Sequence, residues 1–285
     1  MESGATQSMT ATAGGNTFNL TQGPSDTLNL GHFGTNNINV GGGGLGREGM
    51  GSQRTYRVAV STPVALARLE SELTECRACP RLVAWREEVA RVKRAAFAHE
   101  QYWGRPVPGF GDPAARLLVL GLAPAAHGGN RTGRVFTGDR SGDWLFGALH
   151  RAGYANQPTS VSADDGLRLR GAWISAAVRC APPDNKPTTG EFDRCEDTWL
   201  RPEVALLRRL RVVLSLGSMA WRVAWRVWGD GPRPAFGHGE VAELASGGPR
   251  WLVGSYHVSQ QNTFTGRLTE PMLDAVFARC RELSR

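Results

Sequence analysis

The 285-residue chain lacks any apolar run that approaches the roughly 20 residues of a membrane-spanning helix, so we expect no transmembrane segment. Its first ten residues are polar and no apolar signal-peptide stretch follows them, so a soluble cytoplasmic protein is expected. Lysine is almost absent, because only Lys93 and Lys186 among 33 basic residues are lysines. That usage is typical of a GC-rich genome and by itself indicates no chemistry. An apolar content of 41% nevertheless suits a globular protein with an ample core.

Acidic residues are in the minority, with a net charge of +7 and a pI of about 9.6. The first 50 residues hold one basic residue, Arg47, against three acidic ones, so the positive charge belongs to the rest of the chain. A basic domain favours a polyanionic partner, nucleic acid above all. Charge alone leaves open a basic enzyme with no such partner.

The N-terminal segment, residues 1–52, differs in composition from the rest. It is rich in Gly, Asn, Thr and Ser, contains four consecutive glycines at 41–44, and has neither a helical nor a strand period. This pattern predicts a disordered leader. The leader either has a function of its own or results from an over-extended start site or an added segment. Residues 53–285 are predicted to form a single domain.

Four short apolar runs in this domain are typical of buried parallel strands: 116–121, 172–179, 211–217 and 250–256. Helical patterns accompany them over 63–75, 81–94, 141–152, 188–198, 203–210, 218–228 and 269–283. Alternating strands and helices predict an α/β fold, a parallel sheet with helices on both faces. Ligands of such open sheets bind outside the carboxyl ends of the strands. The polar loops after three of the strands, at 121–133, 180–187 and 257–267, are therefore the candidate site.

Four of the five cysteines form two pairs. Cys76 and Cys79 have the C-x-x-C spacing, whereas Cys180 ends a predicted strand and Cys195 lies in the helical region that follows. Structural disulfides are not expected in a cytoplasmic chain of this size. Four thiolates suit an iron–sulfur cluster or a structural zinc ion, and the spacing does not separate these two or exclude four unrelated buried thiols. Cys280 lies on the last helix and is interpreted as a core residue.

The loops carry a more specific signal. The run GLAPAAHGGNRTGRVFTGDRSG at 121–142, with HVSQQNTFTGRLT at 257–269, resembles the family 5, or B-type, uracil-DNA glycosylases of the uracil-DNA glycosylase superfamily. The resemblance extends from about Leu69 to the C-terminus and includes the strand order, the stretch CAPPDNKP and four cysteines. It implies a three-layer α/β/α sandwich on a short, mostly four-stranded parallel sheet. It also implies a structural [4Fe–4S] cluster, on Cys76, Cys79, Cys180 and Cys195.

The resemblance further implies an enzyme that flips a deaminated base out of DNA and hydrolyses its N-glycosidic bond, leaving an abasic site. His257, which opens the second motif, would donate a hydrogen bond to a carbonyl oxygen of the departing uracil. Ala123 stands where other branches of the superfamily carry a carboxylate or amide, and it cannot position water. Asn130 is the nearest replacement for that role. Asp139 is the runner-up, although it equally suits the cap of the helix at 141–152.

Two further positions concern the base itself. Phe136 matches the position where related enzymes stack an aromatic ring on the flipped base. Ala176 stands where many of them carry an Asn that reads the edge of uracil. Because an Ala cannot reject other bases by hydrogen bonding, we expect a broader range that includes hypoxanthine.

The polar loop after His257 is the expected DNA contact. Gln261 matches the wedge that fills the vacated base position, and Arg267 suits a phosphate or the minor groove. The full set of expected DNA-binding residues is Gln260, Gln261, Asn262, Thr265 and Arg267. Trp221, Trp225 and Trp228, at helical spacing, are interpreted as core packing. The expected partner is double-stranded DNA, with single-stranded DNA also conceivable, and the expected protein is a nucleoid-associated monomer without membrane contact.

Two other classes remain open from the residues alone. A redox enzyme built on a four-cysteine cluster is expected to contain a flavin- or nucleotide-binding motif. No G-x-G-x-x-G follows a predicted strand, which disfavours this class. A non-catalytic iron–sulfur protein that binds lesions is conceivable because the first motif lacks its carboxylate.

Overall fold

The computed structural model describes residues 61–245 and 247–285, together with the backbone of four short strands before residue 61. These are β1 (Gln7–Ala13), β2 (Asn16–Gln22), β3 (Ile38–Asn39) and β4 (Thr55–Tyr56); β1 pairs with β2 and β3 with β4, both antiparallel. The rest of the segment 1–52, for which disorder is predicted, lies outside the described residues. The chain divides into two compact units, residues 1–67 and 68–285.

The remaining strands belong to one sheet: β5 (Phe110–Gly111), β6 (Leu117–Gly121), β7 (Ala172–Ala176), β8 (Val212–Leu216), β9 (Val241–Glu243) and β10 (Trp251–Ser255). The helices of the described chain are α1 (Thr62–Thr74), α2 (Pro80–Val92), α3 (Gly129–Thr132), α4 (Arg140–Arg151), α5 (Thr189–Cys195), α6 (Arg201–Leu206), α7 (Ser218–Trp228), α8 (Gln260–Phe264) and α9 (Glu270–Leu283). In the part of the chain that the structure describes, no helix combines the length and the apolar character that crossing a membrane demands.

The sheet has six strands in the order β5-β7-β6-β8-β10-β9. The four central strands are parallel and coincide with the four predicted apolar runs, which confirms that part of the fold. Every residue of β6, β7 and β8 is buried, because the strands are apolar on both faces and covered on both. The edge strands β5 and β9 run antiparallel to their neighbours. With two and three residues, they are too short to produce a sequence signal.

Helices pack against this sheet and enclose the core. Both α7 and α9 contact β8 and β10, and α4 packs against α9. Trp221 of α7 is 1% exposed, in agreement with its predicted packing role, and Cys280 of α9 is fully buried in the main apolar cluster. The predicted helices thus shield the sheet from water.

One continuous helical path replaces two predicted helices. A π-helical turn over Glu196–Leu200 joins α5 to α6, so the chain does not break between 198 and 203. Pro202 lies two residues after this π-helical turn, where the regular α-helical hydrogen bonding that its missing N–H would disturb is already interrupted. Cys195 is the last residue before the π turn, and such turns often occur at functional sites.

Candidate active site

A cavity of about 400 Å³ lies at the carboxyl ends of the four parallel strands. Each strand contributes to its wall: Leu122 and Ala123 follow β6, Ala176 ends β7, Leu216 ends β8 and His257 follows β10. This is where an open α/β sheet binds its ligands. The wall is largely apolar, so polar groups that face the cavity are few and their interactions are strengthened by the low dielectric constant.

His257 is the ionisable group from the second motif in this cavity. Burial lowers the pKa of His257 to about 4, so its imidazole is neutral near pH 7. Among residues 61–245 and 247–285, neither ring nitrogen has a hydrogen-bond partner, while the backbone carbonyl accepts a 2.8 Å bond from Asn262 Nδ2. The backbone is thereby fixed and the ring retains one free N–H donor.

Phe136 lies opposite His257, with ring centroids 6.1 Å apart. Its φ of 54° is a left-handed conformation that a bulky residue seldom adopts, and such strain clusters at active sites. Two glycines make room for it. A Cβ at Gly121 would lie 2.7 Å from Phe136 Cζ, and one at Gly142 would lie 2.0 Å from the Phe136 carbonyl oxygen. The close packing holds the ring at the cavity wall, beside a space that a planar base could occupy.

Ala123 and Ala176 both line the cavity, where they were expected. Neither side chain can donate or accept a hydrogen bond. At these two positions the side chains can therefore make only van der Waals contacts with a ligand.

Asp139 brings a carboxylate to the cavity wall. It is also the N-cap of α4, since its Oδ1 accepts a 3.0 Å hydrogen bond from the Gly142 N–H. Burial raises the pKa of Asp139, and the backbone hydrogen bonds from Gly142 and Ser141 oppose this rise. Both roles weighed for Asp139, cap and site residue, are thus compatible with its position.

Asn130, by contrast, does not line the cavity. It is fully buried in α3, where its Nδ2 donates a 3.1 Å hydrogen bond to the backbone carbonyl of Arg86 in α2. Its Oδ1 has no partner among the described residues. The structure therefore brings Asp139, and not Asn130, to the space where a base would bind.

Five polar or flexible residues of the cavity wall are given no role by the sequence analysis: Ser141, Asn185, Ser218, Met219 and Ser259. Ser218 and Met219 begin α7 directly after β8, so no polar loop marks that strand end. Asn185 ends the 3₁₀ turn Pro183–Asn185, in the quoted CAPPDNKP stretch, with a φ of 54°. The sequence signal that could have identified it is an Asn, a residue that tolerates the left-handed conformation, in a Pro-rich turn after a strand.

The expected DNA-binding residues follow His257 next to the cavity, and all of them are exposed except Asn262, which is half-buried and donates to the His257 carbonyl. Gln260, Gln261 and Asn262 lie in α8, and Thr265 Oγ1 donates a 2.6 Å hydrogen bond to the Gln261 carbonyl. The Arg267 guanidinium lies over the Tyr256 ring at 4.6 Å. Phe264, which the sequence analysis did not single out, is 66% exposed.

The four paired cysteines line a second, smaller pocket. Burial raises the pKa of Cys180 to about 11 and that of Cys195 to about 12, and the neighbouring Cys76 contributes to both shifts. As the side chains stand, no three His, Cys, Asp or Glu groups among the described residues are grouped closely enough to hold a metal ion. The donor set itself is nevertheless the one used by iron–sulfur and structural zinc sites, and its four members share one pocket. The residues present therefore fit such a group in kind and in number.

Two buried arginines surround this cysteine pocket. Arg86, 2% exposed, donates to Cys180 Sγ and to the Cys76 carbonyl. The backbone N–H of Arg179 donates to Cys195 Sγ at 3.3 Å, and its guanidinium forms a buried ion pair with Glu203. Glu203 in turn accepts from the hydroxyl of Ser175, one residue before Ala176 in the cavity wall. Polar contacts thus extend from the cysteine pocket to Ser175, the neighbour of a cavity-wall residue along β7.

The sequence of the chain is similar to those of known proteins. The family model of the uracil DNA glycosylase superfamily matches residues 108–281. A type-5 uracil-DNA glycosylase of Mycobacterium bovis is 56% identical over 223 residues, which is 77% of this chain and 82% of that protein. One from Thermus thermophilus is 53% identical over 214 residues, 74% of this chain and 95% of that protein. A type-4 uracil-DNA glycosylase of Archaeoglobus fulgidus is 30% identical over 115 residues, 40% of this chain and 49% of that protein.

Proposed function

Because the chain belongs to the type-5 uracil-DNA glycosylases of the uracil-DNA glycosylase superfamily, we propose that it removes uracil from DNA. It hydrolyses the N-glycosidic bond and leaves an abasic site, without cutting the strand. The observation that carries the proposal is a neutral imidazole, His257, at the wall of an apolar cavity of about 400 Å³ at the strand ends.

The proposed chemistry follows from what bond cleavage requires. A base buried in the DNA stack must first be extruded into a pocket. As the glycosidic bond breaks, negative charge develops on the uracil and the sugar becomes cationic. A fixed donor aimed at that negative charge stabilises the transition state, most of all where water is excluded. The free N–H of neutral His257 is such a donor, and the depressed pKa keeps it from titrating near pH 7.

The walls of the cavity support a substrate range broader than uracil. Phe136 offers a face on which a flipped base can stack. Ala123 and Ala176 leave the edge of the base without side-chain hydrogen bonds, so bases that differ in that edge are not rejected by unpaired polar groups. Hypoxanthine is therefore a second proposed substrate.

Positioning of the attacking water is proposed for Asp139. Its carboxylate lies at the cavity wall, and burial raises its pKa towards the range where a carboxylate can accept a proton. Asn130 was the first expectation for this role, but its amide is bound to the Arg86 carbonyl outside the cavity.

A [4Fe–4S] cluster is proposed on Cys76, Cys79, Cys180 and Cys195. When bound, it would crosslink the segment between α1 and α2, the segment after β7 and the end of α5. Its role is structural in this proposal. Arg86 and Arg179, which contact Cys180 and Cys195, offer positive charge or a backbone donor to anionic sulfur. Loss of the crosslink would loosen the segments that carry the cavity walls.

The substrate is proposed to be double-stranded DNA, with single-stranded DNA as a second form, and the enzyme acts as a monomer in the cytoplasm. Gln260, Gln261 and Arg267 lie on the exposed chain beside the cavity, where a wedge and phosphate contacts are needed. The positive net charge supports phosphate binding.

The test uses the purified full chain and two labelled duplexes, one with a single uracil and one with a single hypoxanthine. Abasic sites are revealed by alkaline strand cleavage, before and after single-turnover incubation. We expect abasic sites from both duplexes and none from an undamaged duplex. Tight binding to either lesion without any abasic site would contradict the proposal and favour a non-catalytic lesion-binding protein.

A further inference from the structure

A cavity of about 430 Å³, distinct from the cysteine pocket, adjoins the proposed base pocket and shares Ala125, Asp139 and Asn185 with it. Its other polar walls are Arg94, His127, Arg140 and Gln260. On the premise of the proposed function, we propose that this cavity binds one phosphodiester of the DNA strand that carries the flipped nucleotide. We name it the flanking-phosphate cavity.

The charge of the flanking-phosphate cavity favours a phosphate. Arg94 and Arg140 are both exposed, and neither forms an ion pair with an acidic side chain within the described residues. The carboxylate of Asp139 is the acidic group that faces the cavity, and its Oδ1 already accepts from the Gly142 N–H. Two guanidinium groups against one carboxylate leave a net positive cavity. Arginine is well suited to a phosphate because its planar donors match two phosphate oxygens.

A hydrogen-bond chain orients His127. The backbone N–H of Arg94 donates to Tyr102 Oη at 3.4 Å, and Tyr102 Oη lies 3.1 Å from His127 Nδ1. Because the tyrosine oxygen accepts from Arg94, its own proton is free to point to Nδ1. On this basis we assign the ring proton of a neutral His127 to Nε2, as a donor.

His127 is also kept neutral by its surroundings. Burial lowers the pKa of His127, and the charges of Arg94 and Arg131 lower it further. Arg131 itself is engaged by Glu100 and by the Gly138 carbonyl, so it belongs to the wall and not to the binding groups. The flanking-phosphate cavity therefore presents two cations and one fixed neutral donor.

The position of the flanking-phosphate cavity also suits a phosphate. A nucleotide rotated into the base pocket remains linked to its neighbours, so an adjacent phosphodiester must cross the rim that the two cavities share. A phosphate held there fixes the sugar at the pocket entrance, and phosphate contacts position a protein on DNA without reading sequence. Arg94, Arg140 and His127 are therefore positioning residues and not catalytic ones.

The experiment is a scan with single neutral methylphosphonates. Each duplex carries an uncleavable 2′-fluoro analogue of deoxyuridine and a single methylphosphonate. The methylphosphonate is placed in turn at each of the three phosphates on either side of the analogue. For the parent protein, we expect one position to weaken binding about tenfold, while the others change it little. A charged hydrogen bond of this kind is worth about 1.5–3 kcal/mol, and 1.4 kcal/mol is tenfold.

In the variant Arg94→Gln/Arg140→Gln, the same methylphosphonate should cost less than about twofold, because its partners are gone. The dependence of log K on log salt should also become shallower, by about one unit of slope per lost contact. Tyr102→Phe should reduce the methylphosphonate effect at the same phosphate by less than Arg94→Gln/Arg140→Gln does, since it removes only the orientation of His127. Arg209→Gln, an exposed arginine before β8 at the amino end of the sheet, is the matched control and should keep the full methylphosphonate effect.

Two failures are distinguishable. If the parent protein excises uracil but the Arg94→Gln/Arg140→Gln variant shows the unchanged tenfold effect, the flanking-phosphate cavity does not bind DNA and the inference is wrong. If the parent protein binds the analogue yet never produces abasic sites from uracil duplexes, the proposed function fails, whatever the methylphosphonate scan shows.

Discussion

The guanidinium of Arg86 contacts the sulfur of Cys180, with Nη1 and Sγ 3.0 Å apart, from a position that is 2% exposed. Its Nη2 donates to the carbonyl of Cys76 at 3.1 Å, so one buried cation joins two separate cysteine segments. A buried charge is retained only where it is compensated. Apart from the exposed Glu87, whose carboxylate lies 3.9 Å from Nη2, the anionic sulfur of the proposed cluster would supply that compensation.

The first prediction therefore concerns iron. Arg86→Met keeps the bulk of the side chain but removes the charge and the donors, so the purified protein should contain less iron and show weaker visible absorption than the parent. Arg91→Met is the control, because Arg91 lies on the same helix, is exposed and pairs with Glu88. The parent should be brown and carry bound iron. Stoichiometric zinc without iron in the parent would show that the cluster assignment is wrong.

The second prediction concerns His257 as a donor. His257→Ala removes the N–H aimed at the departing base, and the loss of such a donor in a dry site costs about 10²–10³ in rate. Binding to the uncleavable analogue should change little, since phosphate contacts carry most of the affinity. Single-turnover cleavage and binding, measured side by side with the exposed His150→Ala as control, test this. Cleavage by His257→Ala at the parent rate would make His257 structural.

The third prediction is a pH effect on stability. The pKa of His257 is about 4 in the folded protein, against about 6.5 for an unfolded histidine. Between these values the unfolded chain binds a proton that the folded chain does not, so stability rises with pH across this window. The free energy of unfolding should therefore fall from pH 7 to pH 4 by more in the parent than in His257→Gln, as urea titrations at each pH can measure. Equal losses in both proteins would argue against a neutral buried ring.

The fourth prediction tests the packing of Phe136. Gly121→Ala would put a methyl group 2.7 Å from Phe136 Cζ, so the ring must shift away from the base position. We expect a marked loss of cleavage rate, accompanied by weaker binding to the uncleavable analogue. Gly190→Ala is the control, because a Cβ there meets no atom within 4 Å. If Gly121→Ala binds and cleaves like the parent, the ring does not hold the base.

The sequence predicts the sheet better than it predicts the depth of individual residues. Short apolar runs such as 117–120, bounded by polar and Gly-rich loops, are typical of buried strands, and the ends of these strands locate the cavity. The end of β8 was missed as a cavity wall because Ser218 begins a helix at once and no polar loop follows. Asn130 was expected in the site because motif position gives order along the chain. The direction of its side chain depends on α3, a four-residue helix that turns the amide towards Arg86.

The last prediction separates Asp139 from Asn130. Asp139→Asn removes a carboxylate from the cavity wall but retains a side chain that caps helices equally well, so cleavage should slow while the melting temperature changes little. Asn130→Ala should do the reverse, because it removes the buried bond to the Arg86 carbonyl and leaves that group unpaired, at a cost of about 1–3 kcal/mol. The parent rate should also rise with pH through the raised pKa of Asp139, since the deprotonated carboxylate accepts the proton of water. Single-turnover rates from pH 4 to pH 8, with thermal unfolding of both variants, measure these effects. A slow but fully stable Asn130→Ala beside a fast Asp139→Asn would return the water-positioning role to Asn130.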